Sequence, residues 1–140
     1  MAKRFFVDTN VLVYAHDAGS GQKHAAARSL VERLWEERSG VLSTQVLQEF
    51  SVNVRRKARN PMSAEELRQT VEDYLSWNVV VNDGTATLRA LAWAERYGIS
   101  FWDALIIDAA NQAAAEVLHS EDLNHGQSYG SVMVSNPFLV

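Results

Sequence analysis

Four acidic residues stand where short apolar runs end or helices begin: Asp8, Glu49, Asp103 and Asp122. Asp8 closes Phe5-Phe6-Val7 and opens the triplet Asp8-Thr9-Asn10. Glu49 lies on the helix expected after Val41-Leu42-Ser43. Asp103 begins the apolar segment Asp103-Ala104-Leu105-Ile106-Ile107, and Asp122 follows Glu116-Val117-Leu118-His119-Ser120. Carboxylates so placed can meet at one edge of a parallel sheet, although they are far apart in sequence. Like charges gathered there repel unless cations hold them, so the pattern points to hard divalent metals with oxygen ligands.

Each acid also has a purely structural reading. Asp8 can cap the helix that starts near Asn10. Asp103 stands three residues after Ser100 and can complete a capping box. Glu49 can be a solvated helix position and Asp122 a turn residue. Their common position at one predicted sheet edge favours the site over four separate accidents. Asp108 follows Asp103 by five residues, so the two point in different directions on a regular helix. On a helix this apolar, Asp108 is expected to make a structural hydrogen bond or salt bridge. Thr9 can hold an acid or a metal-bound water through its hydroxyl, and for Asn10 fixing Asp8 and a plain turn role are comparable expectations. His125 is near Asp122 in sequence, but a plain loop role is its default, and the four histidines show no ligand spacing.

Composition narrows the chemistry. A chain of 140 residues with 47% apolar and 21% charged residues suits one globular domain with a real core. It has no cysteine, which excludes disulfides, thiolate zinc sites and a cysteine nucleophile. That suits a cytoplasmic protein, and no membrane-length apolar segment appears. No Gly-rich phosphate loop and no Gly-x-Ser-x-Gly elbow is present, which removes nucleoside-triphosphatase and serine-hydrolase classes. The net charge is −4, yet all 13 Lys and Arg residues lie at or before Arg96. The stretch from Tyr97 to Val140 carries five acids and no Lys or Arg. An acidic pocket and a separate basic surface on one molecule suit a nuclease. Arg55, Arg56, Lys57 and Arg59 cluster at the end of the Glu49 helix. Pairing with the helix C-terminal dipole and contact with phosphate groups explain them equally well.

The elements that would position these residues alternate between strand and helix. Strands are predicted at Arg4 to Val7, Val41 to Ser43, Trp77 to Val81 and Val117 to His119, with a possible fifth at Val132 to Val134. Helices are predicted from Asn10, over Gln22 to Arg38, over Thr44 to Arg59 until Asn60-Pro61 breaks it, and from Ser63 to about Ser76. The Ser63-Ala64-Glu65-Glu66 capping box opens that last one. Two more follow, Thr85 to Tyr97 ended by Gly98, and Ser100 to about Ala115, apolar on most faces and therefore buried. This is the pattern of an α/β sandwich around a parallel sheet of four to five short strands.

Asp8-Thr9-Asn10, the lone Glu49 on the third helix, Phe101-Trp102-Asp103-Ala104 and Ser120-Glu121-Asp122-Leu123 together resemble PIN-domain proteins, in order and across the chain. Among these the chain is most similar to the VapC-type toxin ribonucleases of bacterial toxin–antitoxin modules. The resemblance implies a three-layer α/β/α sandwich spanning residues 1–140 as one domain, and endoribonuclease activity needing Mg²⁺ or Mn²⁺. It also implies a homodimer and a cognate antitoxin that blocks the acidic groove. By resemblance Asp8, Glu49, Asp103 and Asp122 are the catalytic and metal-binding acids, with Thr9 or Asn10 in support. Asn124 matches a position where relatives carry an acid or another polar residue. The chemistry expected is hydrolysis of RNA by metal-activated water. Three other readings compete: a PIN-like RNA-processing nuclease without antitoxin, a Mg²⁺-binding signalling receiver domain, and a catalytically silent binding module. The receiver needs a paired acid after the first strand and a late Lys, and the chain has neither.

Overall fold

The computed structural model describes residues 3–56, 58 and 61–139. Its centre is the strand β1 (Phe5–Val7), hydrogen-bonded on one side to β2 (Gly40–Ser43) and on the other to β4 (Val117–His119). A strand between two neighbours, covered by helices on both faces, must be apolar throughout, and Phe6, Val7, Val41, Leu42 and Leu118 are buried accordingly. The sheet continues outward to β3 (Asn78–Val80) beside β2 and to β6 (Val132–Ser135) beside β4. All these pairings are parallel. The last strand, β5 (Ser128–Tyr129), pairs antiparallel with β6 and gives the order β3-β2-β1-β4-β6-β5.

Among the described residues six strands therefore replace the four or five expected from sequence. The extra one has two residues, too few to show any alternation, and it exists because Gly130 turns the chain back at φ +63°. A Cβ at Gly130 would stand 2.5 Å from Asn111 Oδ1, which accepts from the Ser131 amide, so glycine is required on two counts.

Among the described residues six α-helices flank the sheet: α1 (Thr9–Ala15), α2 (Gln22–Glu37), α3 (Thr44–Arg56), α4 (Ala64–Tyr74), α5 (Gly84–Tyr97) and α6 (Phe101–Gln112). The start signals act as the sequence suggests. Ser63 and Glu66 form a reciprocal capping box at α4, and Gly98 ends α5 in the left-handed conformation. Asp83 caps α5 by accepting from the Ala86 amide at 2.9 Å. Helix α6 stops at Gln112, three residues short of the expected end, and is buried from Ala104 to Ala110 between the core and α5. A 3₁₀ turn at Ala18–Ser20 has no counterpart in the sequence reading. The expected break at Asn60 lies outside the described residues.

Candidate active site

Asp8 leaves the C-terminal end of β1 and caps α1, accepting from the Thr9 amide at 2.7 Å. Its second oxygen accepts from Ser120 Oγ at 2.8 Å, and the residue is only 6% exposed. The next turn of chain holds the other acids. Thr9 donates its hydroxyl to Glu49 Oε1 at 2.7 Å, and Gln45 Nε2 reaches the other Glu49 oxygen at 3.5 Å. Asn10 Nδ2 donates to Asp122 Oδ2 at 3.0 Å, so Asn10 steadies Asp122 and not Asp8 as expected from the sequence. Asp103 stands in the first turn of α6, its amide capped by Ser100 Oγ at 3.1 Å. These residues share one cleft of about 160 Å³, lined by Asp8, Glu49, Asp103 and Asp122 with Gln45, Asn53 and Trp102.

The electrostatics of the cleft follow from burial and like charge. Burial pushes the Asp8 carboxyl up to about 7, with Asp122 and Asp103 adding to the rise against the hydrogen bonds from Ser120 and Thr9. Asp122 is also raised, by its own partial burial and then by Glu121 and Asp103. No Lys or Arg is among the described residues lining the cleft. Among the described residues acids are the only charged groups lining the cleft, and Asp8 and Asp122 are raised by burial first and by neighbouring carboxylates second, so a hard divalent cation fits this donor set. Among the described residues, no three acids or histidines already stand close enough to form a finished metal cage. Closing the acids around an ion therefore requires side-chain movement.

Three residues that the sequence left without a role contribute here. Ser120 bridges the site, donating to Asp8 while its Oγ accepts from the Asp122 amide at 3.1 Å. Gln45 is buried and ties Glu49 to the Trp102 carbonyl. Trp102 itself is 62% exposed at the cleft. Other expected candidates fall elsewhere. Asn124 donates to Gln127 Oε1 at 2.9 Å and does not line the cleft. His125 accepts from the Asn136 amide. Arg55 and Arg56 occupy the last turn of α3 with exposed side chains, where the helix dipole favours them. Lys57 and Arg59 lie outside the described residues. Asp108 is turned away, as its spacing from Asp103 implies, and accepts a bidentate pair from Arg89 plus the Trp93 indole N–H.

Comparison with known proteins gives this arrangement a family. The model of the PIN domain matches residues 5–127. No curated protein sequence matches. Among solved structures, VapC20 of Mycobacterium tuberculosis, described as a sarcin-ricin loop cleaving toxin, is similar at 21% identity. The match has a TM-score of 0.67 and covers 92% of this chain and 98% of that one. A toxin–antitoxin complex from Klebsiella pneumoniae is similar at 19% identity and TM-score 0.69, covering 99% and 100% of the two chains. DNA-bound VapBC from Salmonella typhimurium is similar at 18% and 0.63, covering 97% and 99%. At such identities the structures speak for the fold, and the family model speaks for descent: the chain belongs to the PIN-domain family.

Proposed function

We propose that this protein is a metal-dependent endoribonuclease, the toxin of a toxin–antitoxin pair acting on cytoplasmic RNA. The observation that carries the reading is the meeting of four carboxylates from four separate segments in one cleft with no basic residue among its described lining. Asp8, Glu49, Asp103 and Asp122 would hold one or two Mg²⁺ or Mn²⁺ ions. When bound, such an ion lowers the pKa of water and offsets charge on the scissile phosphate.

The chain's own residues account for the positioning. Asp8 is locked on both oxygens by the Thr9 amide and Ser120, so it offers a fixed anchor. Thr9 and Asn10 then set Glu49 and Asp122 from the first turn of α1, which makes one short helix the jig for three acids. Trp102 offers an exposed flat surface for an unpaired base. Arg55 and Arg56 extend a positive end of α3 to the phosphate backbone. The similarity to a sarcin-ricin loop cleaving toxin and to toxin–antitoxin complexes supports RNA as substrate and an antitoxin as partner. A homodimer is proposed on family grounds.

The nature of the ends tests the mechanism. Hydrolysis by water predicts products with a 5′-phosphate and a 3′-hydroxyl. Products ending in a 2′,3′-cyclic phosphate would show that the ribose hydroxyl attacks, and would overturn it.

A further inference from the structure

A second concavity, of about 790 Å³, opens at the N-terminal ends of β1, β2 and β3. Strand β2 separates it from the acidic cleft by about 13 Å of extended chain. The acidic cleft lies beyond the carboxyl ends of the strands, so this cavity at their amino ends is separate from it. Its chemistry is the reverse of the cleft's. Arg4 and Arg38 line it, Trp35 and Trp77 form an aromatic wall, and no acid is among its described lining residues. The two indoles meet edge to face at 5.2 Å. Gly40 leaves room for the Trp77 ring, because a Cβ there would overlap it.

Polar groups on the cavity wall keep hydrogen-bonding capacity for a ligand. Ser39 on its wall is 8% exposed, and its hydroxyl has no hydrogen-bond partner among the described residues. Buried hydroxyls are normally satisfied, and rotation about one bond would turn this one to an incoming acceptor. Arg4 commits one nitrogen to the Ala113 carbonyl at 2.9 Å and keeps further donors. Arg38 holds a left-handed backbone at φ 53°, a conformation that Gly or Asn adopts with less strain. Guanidinium groups and a hydroxyl suit a phosphate, indoles suit a base, and the volume lies in the range of small-molecule sites.

We propose that this cavity binds a nucleotide, its phosphate on Arg38, Arg4 and Ser39 and its base against Trp35 and Trp77. The nucleotide is either free or one unit of a single-stranded RNA. The proposal stands whether or not the acidic cleft cuts RNA.

The test is tryptophan fluorescence of the full chain in EDTA, titrated with adenosine 5′-monophosphate and with a short oligoadenylate. A Trp102→Phe background removes the indole of the other cleft. Saturable quenching is expected, weakened about tenfold by Arg38→Asn, which suits the backbone conformation there, and measurably by Ser39→Ala. Equal response to both probes marks a free nucleotide, and response to the oligomer alone marks an RNA chain. No saturable quenching by either probe, or quenching that both variants leave unchanged, overturns the proposal.

Discussion

Asp103 and Asp108 sit five residues apart on one helix, and the structure gives them opposite duties that substitution can separate. Asp108 is 1% exposed and accepts three hydrogen bonds, from Arg89 Nε at 2.9 Å, Arg89 Nη2 at 3.2 Å and Trp93 Nε1 at 3.2 Å. Removing one partner of a buried ion pair costs about 3–5 kcal/mol. The Arg89 side chain is 37% exposed and can turn to water, which reduces that figure. The Trp93 N–H is left unpaired and restores part of it, at about 1–3 kcal/mol for a buried orphan. Asp108→Ala should therefore lose about 2–3 kcal/mol. For a chain of this size that lowers the unfolding midpoint by roughly 6–12 °C. Asp103 lies half-buried in the first turn of α6, where loss of its charge costs about 0.3–1 kcal/mol through the helix dipole. Asp103→Ala should keep its midpoint within a few degrees yet lose cleavage by on the order of a hundredfold or more. Thermal unfolding by circular dichroism and RNA cleavage at 25 °C, where both variants stay folded, read the two effects. The reasoning fails if Asp108→Ala is as stable as the parent, or if folded Asp108→Ala cuts no better than Asp103→Ala.

Further outcomes follow from the same contacts. Asp8 is raised from 3.8 to about 7, so its ionisation opposes folding above that range, and the penalty lifts as pH falls from 7 towards 3.8. Asp8→Asn should stabilise the metal-free protein by about 1–2 kcal/mol at pH 8, with a smaller gain at pH 5. Urea unfolding in EDTA checks this, and equal destabilisation at both pH values would contradict it. His16 is lowered to about 4 by burial first, then by His24 and Arg28, and pairs with Tyr74 Oη at 2.5 Å. The unfolded chain then takes up a proton that the folded chain refuses, so this stability is lost as pH falls from 6.5 through 4. Relative to the parent, His16→Gln should lose roughly 2 kcal/mol less between pH 7 and pH 5, and parallel pH–stability curves would refute the assignment. Gly40→Ala places a Cβ in the Trp77 ring and should cost about 2 kcal/mol, while an unchanged urea midpoint would show that the ring moves freely.

Much of the fold was legible because each element announces itself locally. Apolar triplets marked β1, β2 and β4, capping residues marked α4 and α6, and Gly98 closed α5. Strand β5 was not legible, since Ser128 and Tyr129 owe their pairing to the turn at Gly130 and to Asn111 from a distant helix. The four acids were legible because strand ends and helix starts fix which edge they occupy. Their hydrogen-bond partners were not. Thr9 and Asn10 are neighbours that serve different acids, a choice set by side-chain direction at the start of α1 and not by spacing. Gln45 reads in sequence as one more helix position, and only the packing of α3 against α6 brings it between Glu49 and Trp102. The far cavity was equally hidden, because Arg4, Arg38, Trp35 and Trp77 come together only when three strands align their N-terminal ends.

The central claim is that the acidic cleft is a metal-dependent nuclease centre. Its most direct test is cleavage of structured RNA by purified protein with Mg²⁺ or Mn²⁺, with excess EDTA, and with Asp8→Ala. Cleavage that needs the metal and is lost in a folded Asp8→Ala variant is the result expected. Cleavage that persists in EDTA, or in folded Asp8→Ala, would place the activity outside this cleft.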